Sequence, residues 1–163
     1  LLYLLSDEFS QDVKRANFEY YEPRTTHKSS LSIASYAILA SELGDTGKAY
    51  GYLRRVANSD LENIRGNTEL GVHAAELGGT WQIAVRGLAG VRVRGGVLFV
   101  DSRLPEDWQG MSFRTWFRDN LLAVVISEGE VVVSMEQGRD ALEMNICGQR
   151  ETLEPGGTTR VRR

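Results

Sequence analysis

The chain has 163 residues, 42% of them hydrophobic and 25% charged, the size of one ordinary domain or one and a half small ones. Nineteen basic against 22 acidic residues leave a net charge of -3 with both signs spread along the chain, so no nucleic-acid partner is expected. The longest apolar run, Leu121–Ile126, is six residues against the ~20 of a membrane-spanning helix, which argues against a membrane partner. The single cysteine, Cys147, cannot build an internal disulfide framework and favours a reducing, cytoplasmic setting.

The chain opens on Leu1–Leu5, without a Met, a basic stretch or a small-residue cleavage site. This short apolar run reads as the closing turns of a helix that begins earlier, so the chain is expected to be a fragment. Ser6, Asp7 and Glu8 predict a capped helix start before Phe9, Val13, Ala16 and Phe18–Tyr21, with Pro23 ending the segment. A second helix is expected after Ser30, with Leu31, Ala34, Ile38, Leu39 and Leu43 on one face and Gly44 at its end. A third from Thr46 groups Ala49, Tyr52, Leu53 and Val56. A fourth from about Val72 carries Ala74, Leu77, Trp81, Ala84 and Leu88, and its Gly78-Gly79 pair predicts close packing or a break.

After Gly90 the period becomes two. Val91–Arg94, Val97–Val100, Met111–Arg118, Leu121–Ile126, Val131–Met135 and Leu142–Cys147 read as short strands separated by turn-rich segments. Helices first and strands second predict an α+β protein with an antiparallel meander or half of a sandwich, not a parallel βαβ sheet. The tail from Gly156 is expected to fray.

The densest polar constellation, Glu22–Ser30, stands directly before the second helix. A solvated loop with an N-cap serine explains it. So does an oxyanion pocket, in which His27, Ser29 and Ser30 offer side-chain donors and the helix start offers backbone ones. In the second constellation, Asn67–His73, Glu69 and His73 are four residues apart, and His73 and Glu76 three, so either pair can share a helix face. Two histidines, with no H-E-x-x-H or cysteine-rich spacing, make too poor a ligand set for a metal to be expected.

Residues 17–32, 67–73 and 78–81, with Leu104–Trp108 and Ser112–Arg114, closely resemble the C-terminal part of glycoside hydrolase family sixty-five. That family holds the maltose, trehalose, kojibiose and nigerose phosphorylases. The resemblance implies that residues 1–90 are the closing helices of an α/α-barrel catalytic domain, 91–155 a C-terminal β-sheet domain and 156–163 a frayed tail. It implies inverting phosphorolysis of an α-glucoside to β-glucose 1-phosphate, with a general-acid glutamate upstream of this chain and no catalytic residue within it. His27, Ser29 and Ser30 would bind inorganic phosphate, and Glu69 and His73 would line the disaccharide cleft. No cofactor is expected, and the full-length enzyme is expected to be a homodimer. The chain alone is expected to be inactive and to associate through the helix faces its missing neighbours would cover.

Phosphate is already an anionic nucleophile, so its site needs donors that position it, whereas an inverting hydrolase needs a second carboxylate to activate water. That difference favours a phosphorylase. The alternatives are a hydrolase of the same family, of acid-trehalase type, and a non-catalytic carbohydrate-binding or structural β-module. Ile33–Tyr36 replaces a stretch where the family commonly has a Pro and a later His. Glu69-Leu70 precedes Gly71 where a smaller or acidic residue is more usual. Both departures bear on fine substrate specificity.

Overall fold

The computed structural model of the chain describes residues 1–27 and 30–162, the side chain of Ser30 excepted. It divides into two units, the boundary falling between Leu88 and Ala89. Helices occupy the first and strands the second, which makes the chain α+β.

The helical unit contains α1 (Gln11–Tyr21), α2 (Ser30–Glu42), α3 (Thr46–Ala57) and α4 (Ala74–Gln82), the last continuing as a π-helical stretch, Ile83–Leu88. Helix α1 starts later than its sequence suggests. Ser10 is its cap, accepting from the Val13 N–H at 3.3 Å, while Ser6–Glu8 form a separate 3-10 turn. Ser6 is diverted to a buried pair: Lys14 Nζ donates to Glu42 Oε1 at 2.6 Å and to Ser6 Oγ at 2.7 Å, and Ser6 Oγ donates to Glu42 at 2.7 Å. Helix α3 is capped by Asp45, whose carboxylate accepts from the Lys48 N–H at 2.9 Å. At Gly79 a Cβ would stand 3.2 Å from the Ala34 Cβ. The glycine therefore serves close packing of α4 on α2, and the helix runs through it unbroken. Ile38, Ile83 and Leu88 are fully buried between these elements, while Leu4, Leu61, Leu70 and Val72 are exposed.

The β unit is a sandwich of two four-stranded sheets. One runs β1 (Val91–Arg94), β2 (Val97–Val100), β6 (Leu142–Ile146), β7 (Gln149–Leu153); the other runs β3 (Gly110–Phe117), β4 (Asn120–Ser127), β5 (Glu130–Gln137), β8 (Thr158–Arg162). Alternate residues of both sheets fill one core, including Val100, Met144 and Ile146 from the first and Leu122, Val124 and Val133 from the second. Positive φ at Gly95-Gly96, Arg118-Asp119 and Cys147-Gly148 makes three of the hairpin turns, so Cys147 is a turn residue and not the end of a strand.

Two expectations are corrected. The sheets are not wholly antiparallel: the chain leaves the first sheet after β2, builds β3–β5 in the second, and returns to lay β6 parallel to β2. Nor do the described residues of the tail, 156–162, fray. Thr158–Arg162 pairs with β5, with Val161 opposite Val131 and 2% exposed. No described helix is long and apolar enough to cross a membrane.

Candidate functional site

His27 sits at the end of the loop that follows α1 and a 3-10 turn over Glu22–Arg24, three residues before α2 begins. Its backbone is left-handed, with φ at 49°, a conformation uncommon for any residue but glycine. Arg55 holds it there, Nη2 donating to the His27 carbonyl at 3.2 Å. The residue is 7% exposed, its ring perpendicular to Tyr36 at 4.8 Å between centroids and tilted against Tyr52 at 5.3 Å. Tyr52, from α3, donates to Glu22 Oε1 at 2.5 Å, and its Oη lies 3.3 Å from His27 Nε2. Lys48 adds a second partner to Glu22 at 3.4 Å. The other ring nitrogen, Nδ1, is buried and meets no hydrogen-bond partner among the described residues.

The charges around this loop are set by its burial. Desolvation pushes the His27 imidazole below its ordinary value, Arg55 adds to the effect, and the Glu22 carboxylate and carbonyl oppose it. The Tyr52 hydroxyl holds the Glu22 carboxyl below its usual range, and burial with that carboxylate drives the Tyr52 phenol far above its own. At neutral pH the arrangement is a neutral imidazole beside an ionised carboxylate and an un-ionised phenol.

This has a consequence for stability. A His27 that protonates less readily folded than unfolded contributes full stability above the ordinary histidine value of 6.5 and loses it as pH falls below that value. Denaturant midpoints taken between about pH 8 and 5 should decline on the acid side, with at most about 1.4 kcal/mol per pH unit due to this one proton. His27→Gln should flatten that limb. An equal slope in both proteins would show that the ring is solvated.

The same loop borders a cavity of about 120 Å³, lined by His27, Arg55, Ser59, Arg65 and Glu76 among others. Of the phosphate ligands expected from the sequence, His27 thus shares this cavity with Arg55, Arg65 and the Glu76 carboxylate, whereas Ser29 and the Ser30 side chain lie outside the described residues. Glu69 and His73 do not share a helix face. Glu69 is exposed on a 3-10 turn, Thr68–Leu70, and Gly71, with φ at 121°, separates it from His73, the cap residue of α4. His73 is engaged instead by Asp60, which accepts from its backbone N–H at 2.7 Å and meets Nδ1 at 2.5 Å. These two bonds hold the Asp60 carboxyl below its usual range. One ligand atom each from Asp60, His73 and Glu76 lies within 4.8 Å of the others, but Arg65 Nε already donates to Glu76 at 2.8 Å. With a guanidinium on its buried carboxylate, this cluster is a charge-paired helix start. Asp60, Tyr52 and Arg65 carried no sequence signal beyond helix periodicity and loop polarity.

Residues 1–82 match the glycosyl hydrolase family 65 central catalytic domain, and residues 91–153 match that family's C-terminal domain. The chain belongs to glycosyl hydrolase family 65. Among family 65 relatives it is 41% identical over 155 residues to kojibiose phosphorylase of Thermoanaerobacter brockii, covering 94% of this chain and 20% of that protein. It is 39% identical over 153 residues to maltose phosphorylase of Bacillus subtilis, with the same two coverages of 94% and 20%. To the alpha,alpha-trehalose phosphorylase of Thermoanaerobacter brockii it is 37% identical over 156 residues, 96% of this chain and 20% of that protein. A solved structure of a human-microbiome protein described as a kojibiose phosphorylase superposes with a TM-score of 0.92 at 28% identity, covering 99% of this chain and 24% of that one. The chain therefore spans about a fifth of the length of these curated relatives.

Proposed function

We propose that this chain supplies the phosphate-binding loop of an inverting α-glucoside phosphorylase, with inorganic phosphate and an α-linked glucose disaccharide as its substrates. The observation that carries the reading is His27: a buried, neutral imidazole whose Nδ1 has no partner among the described residues, held in a left-handed conformation just before α2 by Arg55, on a cavity that Arg65 also lines. A buried polar atom without a partner is costly unless a ligand completes it. Ser29 and Ser30 are the side-chain donors we assign to the anion, on the strength of the sequence motif. Glu69 and His73 remain candidates for the disaccharide cleft, and the full-length enzyme is proposed to be a homodimer. The general acid belongs to the part of the protein upstream of this chain, so the chain alone should release no glucose 1-phosphate.

Phosphate differs from water as a nucleophile in needing no base, and both nearby carboxylates are already engaged, Glu22 by Tyr52 and Glu76 by Arg65, which suits phosphorolysis better than hydrolysis. In the full-length enzyme, His27→Ala removes one contact to the nucleophile, worth one to two decades in rate on the scale of about 1.5–3 kcal/mol for a bond to a charged group. The loss should appear in the phosphate dependence, with the disaccharide KM little changed. Steady-state kinetics varying the two substrates independently decide it. Equal losses toward both substrates would reduce His27 to a packing residue, and phosphate-independent glucose release would favour the hydrolase.

A further inference from the structure

We propose that Tyr52 and Glu22 are positioning residues of this phosphate site, fixing the His27 ring with its proton on Nε2 so that Nδ1 accepts the P–O–H of hydrogen phosphate and disfavours sulfate. The inference rests on the phosphate reading of His27.

The geometry fixes where each proton goes. Tyr52 Oη has one proton and two candidate acceptors, Glu22 Oε1 at 2.5 Å and His27 Nε2 at 3.3 Å. An ionised carboxylate only accepts, and a hydrogen bond to it is shorter and stronger than one to a neutral nitrogen. The hydroxyl proton therefore goes to Glu22, and the phenolic oxygen turns a lone pair toward Nε2. A neutral imidazole has a single proton. On Nε2 it donates to that lone pair; on Nδ1 it would leave two lone pairs facing each other. The other neighbours do not reverse this. The Glu22 carbonyl favours a proton on the ring but makes no hydrogen bond to Nδ1, Tyr36 presents its ring at 4.8 Å between centroids, and Arg55, a cation, bonds the His27 carbonyl. Nδ1 is left as a bare, buried acceptor on a residue 7% exposed, with no partner among the described residues.

An anion that meets a bare acceptor has to bring its own proton. Phosphate near neutral pH always keeps at least one P–O–H, whose donation to Nδ1 frees its other oxygens for the donors of the loop. Sulfate keeps none. To accommodate sulfate, the ring must either take a second proton against burial and Arg55 or move its proton to Nδ1 against the Tyr52 lone pair. Glu22 and Tyr52, 30 residues apart in sequence, thereby bear on which anion the loop accepts without touching it.

Nitrogen-15 NMR of this chain with labelled histidine reads the tautomer directly, His27→Gln assigning the signals against His73. The expected result is a protonated Nε2 and an unprotonated Nδ1 on His27. Inorganic phosphate should then move the Nδ1 signal, and sodium sulfate at equal ionic strength should not. Tyr52→Phe and Glu22→Gln should populate the Nδ1-protonated ring and narrow the preference for phosphate over sulfate by about tenfold, the scale of one hydrogen bond. A wild-type ring with its proton on Nδ1 would overturn the inference even where phosphate binds, and even where a variant fails to fold. So would sulfate moving Nδ1 as strongly as phosphate does. If phosphate moves neither ring nitrogen, the phosphate reading itself falls and the inference falls with it.

Discussion

Lys14→Ala is expected to destabilise the helical unit by about 3–5 kcal/mol, the cost of breaking a buried ion pair from one side. Lys14 and Glu42 meet at 2.6 Å with side chains 3% and 6% exposed. Glu42 ends α2, where the helix dipole is negative and a carboxylate is poorly placed without a cation against it. The pair also ties α1 to the far end of the helix that His27 precedes, so it helps set the ends between which the loop must run. Urea denaturation followed by far-ultraviolet circular dichroism measures the loss. Lys14→Met combined with Glu42→Leu should recover most of it, because two apolar side chains need no compensation. A single-variant loss under about 1 kcal/mol would place the pair in the class of solvated surface bridges.

The elements that the sequence reveals are those whose own pattern decides them. Helices α2 and α3 carry apolar faces and begin near a hydroxyl or an acid, whereas α4 forms where its pattern places it but turns Leu77 and Trp81 outward, 56% and 51% exposed, and buries Glu76 and Gly79. Strands β3–β6 alternate or run apolar because one face of each fills the sandwich core. What escaped prediction depends on partners distant in sequence. Strands β7 and β8 are the polar edges of their sheets, with sequences Gln149–Leu153 and Thr158–Arg162 that each bury a single residue, Leu153 and Val161. Charged edge strands guard against sheet-to-sheet aggregation, and that same polarity hides them from a periodicity reading. The parallel β2–β6 pair follows from a crossover through the other sheet, which no local pattern encodes. Ser6 resembles a helix cap, yet Lys14 and Glu42 compete for its hydroxyl and Ser10 takes the cap. At the site, polar crowding marks the His27 loop, and the phosphate role proposed for it comes from the family resemblance. Tyr52 reads in sequence as one more apolar-face residue of α3, and only the fold brings its hydroxyl between Glu22 and His27.

Gly90→Ala should cost the β unit about 2–5 kcal/mol, from two sources that the fold keeps separate. Gly90 leads into β1 with φ at 66°, a left-handed conformation costing an L residue about 1–2 kcal/mol. A Cβ there would also press on the oxygen, carbonyl carbon and nitrogen of Asp101, nearer than side-chain carbons stand in real proteins. These are backbone atoms that cannot swing aside, and the Asp101 N–H donates to the Gly90 carbonyl at 3.3 Å. Relief would have to come from parting β1 from β2, where Val91 pairs with Val100, a fully buried residue of the sandwich core. Overpacking of that kind adds about 1–3 kcal/mol. Gly95→Ala is the control: its φ is also positive, at 53°, but a Cβ there meets nothing within 4 Å. It should show the conformational part alone, about 1–2 kcal/mol. Chemical denaturation of the two variants side by side isolates the steric part as their difference. Equal losses would mean that the β1–β2 hairpin relaxes around the new methyl group, and that Gly90 is required for its backbone angle only.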